Sequence, residues 1–310
     1  MDIKKPSRVL VNNCLKIKKN ESVLIVTDKK RKKIGGAILE EVKKVTSNVK
    51  IIETPVAKEN GNEPPKIIAK EMLNYDVVIC PTTKSLSHTK ARLNATKQGA
   101  RIVTLPGITN EIMQIIDVDY NKIKKITLKL KKILDKSNKI HILTKIGTDV
   151  TFLNKKRKWI PDLGFVHRAG ESGNLPAGEI FIAPKETNGI LVLDNSKHNQ
   201  KNFAPSKTKL IIKKNKVIYI SNSNSKLGKV FKTIKNATNI AELGIGTNYK
   251  AKIIGSTLQD EKSISTIHIA FGNSSGIGGN VYSKIHKDII FQKPTILVDD
   301  KVIMKEGKFT

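Results

Sequence analysis

Between residues 23 and 105 the chain repeats one pattern, a short apolar run, a polar break, then a longer segment with apolar residues at helical spacing. Val23-Leu24-Ile25-Val26, Val49-Lys50-Ile51-Ile52, Asp76-Val77-Val78-Ile79-Cys80 and Arg101-Ile102-Val103-Thr104-Leu105 read as strands. Ile34 to Val45, Lys66 to Leu73 and Thr89 to Gln98 read as helices, the last stopped by Gly99. Strands apolar on both faces need cover on both faces, so this alternation predicts a parallel sheet between helices. The expected class is α/β, with a Rossmann-like parallel-sheet domain over residues 1–145. Ile123, Ile126, Leu130, Ile133 and Leu134 fall at helical spacing, and this lysine-faced helix is expected to pack on that sheet.

Beyond Gly147 the pattern turns mostly to strands. Glu179 to Pro184 and Gly189 to Leu193 read as strands, and Leu210 to Ile220 as a hairpin turning through Lys213 to Lys216. A short helix is expected near Leu227 to Ile234, and a last hairpin across Asp299-Asp300, residues that tolerate turn conformations. Residues 146–310 are therefore expected to form a β-rich α+β domain. No internal repeat is visible.

With 310 residues the chain can bury a sizeable core. No run of about twenty apolar residues occurs and the start lacks the apolar block of a secretory signal, so the expectation is a cytoplasmic protein with no membrane partner. Cys14 and Cys80 are too few and too isolated for a disulfide framework or a thiolate metal motif. The net charge of +30 raises nucleic acid as a partner. Nearly all of it is lysine, scattered with few aromatics between, whereas base and phosphate readers favour the arginine fork. A solvated lysine surface without specific nucleic-acid binding is the expectation.

The residues with metal-binding chemistry gather in the second half. His268 sits in the apolar run Thr266 to Phe271, and His286 and Asp288 bracket one lysine before Ile289-Ile290-Phe291. Residues two apart in a strand share a face, so His-x-Asp aims an imidazole and a carboxylate at one point. Glu179 and Glu242 stand among small and apolar residues, where a carboxylate without a partner or cation is costly to bury.

Other motifs are weaker. Gly276-Ile277-Gly278-Gly279 matches no nucleotide fingerprint and reads as backbone permissiveness beside the site. No zinc-protease helix or serine nucleophile elbow occurs. Ser85 to Ala91 follows the strand ending at Cys80, at the edge where open α/β sheets place ligands. There His88 reads either as an exposed loop residue beside a capping Thr89 or Ser87, or as a general acid or base. His141 is expected on a strand, His167 and His198 at the surface, and Trp159 in the core.

Four blocks in order, Asn174-Leu175-Pro176-Ala177-Gly178-Glu179-Ile180-Phe181, Ala241-Glu242-Leu243-Gly244-Ile245-Gly246-Thr247-Asn248, Thr266 to Gly272 and Ser283 to Asp288, resemble the signature blocks of the thermophilic metallo-aminopeptidase family (M29, aminopeptidase T). Ser85 to Ala91, Gly99-Ala100-Arg101 and Leu105 to Thr109 resemble its N-terminal domain, so the likeness covers most of the chain. It implies a two-metal centre of zinc, cobalt or manganese held by Glu179, Glu242, His268, His286 and Asp288. It also implies a peptide substrate, catalytic roles for His88 and Glu179, and a homodimer or larger homo-oligomer. The tyrosine that the family places after its first histidine has no obvious counterpart, for Ser275 stands there and Tyr282 comes later. A related branch, the 2,5-dihydroxypyridine dioxygenases, implies instead one iron(II) on His268, His286 and Asp288, a facial triad, with Glu179 and Glu242 in supporting roles. A third reading is a basic nucleic-acid binder on an inert scaffold.

Overall fold

The computed structural model describes residues 2–154, 157–193 and 203–310. His198 and part of the Lys155 to Lys158 run lie outside the described residues. The protein is α/β, and its contacts divide it into two units, Met1–Asn121 with Leu163–Ala177, and Lys122–Asp162 with Gly178–Thr310.

In the first unit the expected strands form at Val23–Asp28, Val49–Thr54, Val77–Cys80 and Arg101–Thr104, all paired in parallel with Val23–Asp28 inside. Val23–Asp28, Val77–Cys80 and Arg101–Thr104 are buried along their whole length. Thr89 caps the helix Lys90–Lys97 by accepting the backbone N–H of Arg92. A fifth parallel strand, Ser172–Asn174, lies beside Arg101–Thr104. It carries no apolar residue to announce it in the sequence. The buried Arg101 guanidinium holds this region by donating to the backbone oxygens of Leu15 and Val166 and to Glu21.

The single boundary expected at 145/146 therefore differs from the contact division, which is discontinuous. The helix Tyr120–Leu134 also differs from expectation. Its Leu130 and Leu134 are buried with Ile140, Phe152 and Trp159 in the core of the second unit, while Ile133 is exposed.

The second unit holds two antiparallel sheets. One runs in the order Lys216–Ile220, Lys209–Lys213, Glu186–Val192, Asp149–Leu153, Lys139–Leu143, Thr295–Val298, Lys301–Lys305, Lys308–Phe309. His141 lies on it, 2.7 Å from Asp149. The last hairpin turns through Asp299 and Asp300 in left-handed conformation, at φ 43° and 70°. The other sheet has the order His286–Gln292, Thr266–Gly272, Ile240–Gly246, Glu179–Ile182, Ile160–Asp162. Residues of both sheets share one apolar core. No helix among the described residues is long and apolar enough to cross a membrane.

Candidate metal centre

Strand register decides where each candidate ligand points. Gly246 pairs with Glu179, Glu242 and Asp288 both pair with Ala270, His268 pairs with Gly244, and His286 pairs with Gly272. Paired residues share a face, and so do residues two apart along a strand. All five candidates therefore fall on one face of the sheet. Small residues, Gly244, Gly246, Ala270 and Gly272, stand between them on that face, which also carries Phe181 opposite Gly244 and Ile290 opposite His268. The other face carries Ile180, Ile182, Leu243, Ile245, Ile267, Ile269, Phe271, Ile289 and Phe291, all in the core.

Two local features make this possible. A β-bulge between Ile240 and Glu242 lets Ile240 enter the core while Glu242, two residues on, turns to the polar face. A Cβ on Gly244 would lie 2.1 Å from Nε2 of His268, so this glycine leaves the space that the imidazole fills.

The polar groups form a continuous array. His268 Nε2 lies 3.1 Å from Glu242 Oε1 and 3.4 Å from Glu179 Oε2. His286 Nε2 lies 3.2 Å from Glu242 Oε2 and 3.4 Å from Asp288 Oδ1, and its Nδ1 is 2.7 Å from the backbone oxygen of Asn273. A metal-ligating histidine commonly has its second nitrogen fixed in this way. Glu242, His286 and Asp288 each present a donor atom, all within 4.8 Å of one another. His268 lies against the other oxygen of Glu242, and Glu179 against His268.

Burial and neighbouring charge oppose each other across the site. Burial works against a charged His268, but Glu242 and Glu179 outweigh it and raise its pKa to about 9. At His286 the same opposition, with Asp288 and Glu242 prevailing, gives about 12. Burial raises Asp288, but His286 more than reverses this and holds it well below the usual carboxylate range. Burial also pushes Glu179 up, to about 8, against the pull of Lys262 and His268. Glu179 has its Oε1 2.5 Å from the Lys262 ammonium. Its buried Oε2 has no hydrogen bond among the described residues. Nitrogen and carboxylate donors facing one space, one of them an orphaned oxygen, fit a divalent metal.

Sequence reasoning missed Lys262, a buried lysine paired with Glu179, Glu261 and Asp162. Glu261-Lys262 has no apolar pattern around it, and only the chain path after the helix Thr257–Asp260 takes it inside. His88 is exposed in the turn before Thr89 and belongs to the first unit, whereas the metal-binding array is built wholly within the second. His167 is exposed, and its Nε2 is 2.8 Å from the backbone oxygen of Asn13. Tyr282 is exposed, at 69 %. Trp159 is in the core, and Cys80 is a buried strand residue whose thiol burial pushes up to about 12.

Comparison with known proteins gives the same architecture. A family model described as NicX, 2,5-dihydroxypyridine 5,6-dioxygenase, matches residues 9–310. The solved 2,5-dihydroxypyridine dioxygenase from Pseudomonas putida KT2440 superposes with a TM-score of 0.84 at 16% identity, covering 100% of this chain and 98% of that one. Wild-type AmpT from Thermus thermophilus superposes with a TM-score of 0.74 at 13% identity, covering 99% and 98%. A search of curated protein sequences gave no significant match. The chain belongs to the 2,5-dihydroxypyridine 5,6-dioxygenase family and shares its fold with AmpT.

Proposed function

We propose that this protein is a metal-dependent hydrolase of the aminopeptidase kind with a dinuclear divalent centre. The observation that carries the reading is the position of Glu242, whose two carboxylate oxygens face different imidazoles, at 3.1 and 3.2 Å. Glu242, His286 and Asp288 would hold one ion. Glu242, His268 and Glu179 would hold the other. Mixed nitrogen and oxygen donors suit zinc, cobalt or manganese.

Bound divalent ions supply Lewis-acid polarisation of a scissile carbonyl and an activated water. The chain's own residues do the rest. The sheet fixes the donors on one face, and Gly244 leaves room for the His268 ring. His286 and Asp288, whose side chains are 26% and 21% exposed, mark the side from which a peptide's N-terminus enters. Glu179, held near 8, is able to hold a proton around neutral pH as well as to ligate. The place of His88 after the strand ending at Cys80, at the edge where open α/β sheets bind ligands, proposes it as a further proton carrier, and the family resemblance proposes a homo-oligomer.

Metal analysis of protein purified without chelator tests the reading. Two ions per chain are expected, falling toward one in Glu179→Gln, with release of the N-terminal residue from unblocked peptides and poor turnover once the amine is acetylated. His88→Ala should lower turnover and leave the metal count unchanged. A single ion together with indifference to peptides would sink the proposal.

The second reading is a mononuclear iron(II) ring-cleaving dioxygenase, favoured by the family model and by Lys262, which already sets a positive charge beside Glu179. Its facial triad calls for two histidines and one carboxylate, whereas the converging group holds one histidine and two carboxylates. One iron per chain and oxygen uptake with a hydroxylated aromatic ring would establish it.

A further inference from the structure

Lys262 is only 2% exposed and is surrounded by carboxylates. Its Nζ lies 2.5 Å from Glu179 Oε1, 3.0 Å from Glu261 Oε1 and 3.8 Å from Asp162 Oδ2. A lysine is seldom buried to this extent, and the fold holds it there through its backbone as well as its charge. The backbone N–H of Asn248 donates to the Lys262 carbonyl, and Asn248 forms a parallel bridge with Ser263. At Gly246, in the strand that carries Glu242, an added Cβ would fall 2.0 Å from the Ser263 oxygen. The Lys262-Ser263 backbone therefore lies directly against that strand, in space only a glycine leaves.

The two oxygens of Glu179 are divided between two neighbours. Oε1 is held by the ammonium, and Oε2 is turned to His268, 3.4 Å away, with no hydrogen bond among the described residues. We infer that Lys262 is a positioning residue of the metal centre, fixing Glu179 through Oε1 so that Oε2 alone is presented beside His268. The ammonium thereby prevents Glu179 from closing on a cation with both oxygens and leaves a fixed positive charge at the inner end of the array. Lys262 is held by carboxylates and by chain path at once, and this is how a group that orients a ligand is itself kept in place. The inference rests on Glu179 being a ligand, as proposed above.

Zinc titration of chelator-stripped full-length protein, with a chromophoric chelator as competitor, provides the test. Lys262→Met keeps the side-chain length and removes the charge. It is expected to weaken binding of the zinc that Glu179→Gln also weakens, by about 10- to 100-fold, the usual loss when the partner of a ligand is removed. Because Lys262 acts through Glu179, the double variant K262M/E179Q should bind no more weakly than E179Q alone, whereas independent effects would multiply. Lys262→Arg, which keeps the charge, should bind more tightly than K262M, and it provides the comparison with wild type should K262M not fold. Wild-type affinity in folded K262M, losses that multiply in the double variant, or R and M variants equally impaired would each overturn the inference. Wild-type stoichiometry from the same titration separates the two ideas. A single zinc per chain removes the dinuclear reading, while the comparison across the cycle still decides whether Lys262 works through Glu179.

Discussion

Gly244 shows how much the centre depends on what is missing from its side chains. An alanine there would set a methyl group 2.1 Å from Nε2 of His268, a distance that no packing adjustment of a strand-bound imidazole absorbs without moving the ring. Gly244→Ala is therefore expected to lower metal affinity at least tenfold while costing about 1–3 kcal/mol of stability, the usual range for overpacking. Chelator competition and thermal melting of the metal-free protein measure the two separately, and unchanged affinity would show that the ring sits elsewhere. Glu179, Glu242 and His268 stand out in the sequence as polar residues among small and apolar neighbours, and His286 and Asp288 by their spacing of two, and the structure brings all five to one face of one sheet. Lys262 was not legible. A lysine is ordinarily a surface residue, and in a chain with 57 lysines and arginines nothing in the sequence marks one of them as buried.

At the scale of strands and helices, the sequence announces elements by their apolar content and hides those that lack it. The fully buried strands of the first unit read directly from consecutive valines and isoleucines, and the His-x-Asp strand from its period of two. Ser172–Asn174 is a strand through register alone, and the bulge before Glu242 is a one-residue shift that alternation cannot foresee. Polar clips between strands escape for the same reason. Ser22 donates its backbone N–H and its hydroxyl to Asp76 Oδ2, both at 2.8 Å, and its Oγ accepts the Asp76 N–H at 3.0 Å, joining the starts of two adjacent parallel strands. The Ser22 N–H and hydroxyl, donating to the carboxylate, hold Asp76 below its ordinary value. A group with a depressed folded pKa stabilises above its unfolded pKa, near 3.9, and loses that contribution as pH falls through the folded value. Asp76→Ala should therefore melt below wild type at pH 7, with the gap narrowing below about pH 4. A gap that does not change with pH would assign the effect to packing rather than charge.

Across the whole molecule the +30 charge comes from 57 lysines and arginines against 27 aspartates and glutamates. We expect DNA or RNA binding to be weaker than about micromolar and to disappear steeply as salt rises toward about 0.2 M, as counterion release by unspecific cations requires. Sequence-dependent nanomolar affinity at that salt, in a fluorescence anisotropy titration, would contradict it. The class of each half was legible from pattern, but the point of division was not, because the amphipathic helix could be assigned to either core until its neighbours were known. The discontinuous division itself bears on how the chain matures. A ribosome releases residues in order, so Lys139–Leu143 and Asp149–Leu153, which belong to the second unit, emerge before Ser172–Asn174 completes the parallel sheet of the first. Until then Arg101–Thr104 presents an open sheet edge. Neither unit is a linear cassette that a single cut could free, and a fragment ending at residue 145 would keep Lys139–Leu143 while losing both strands that flank it.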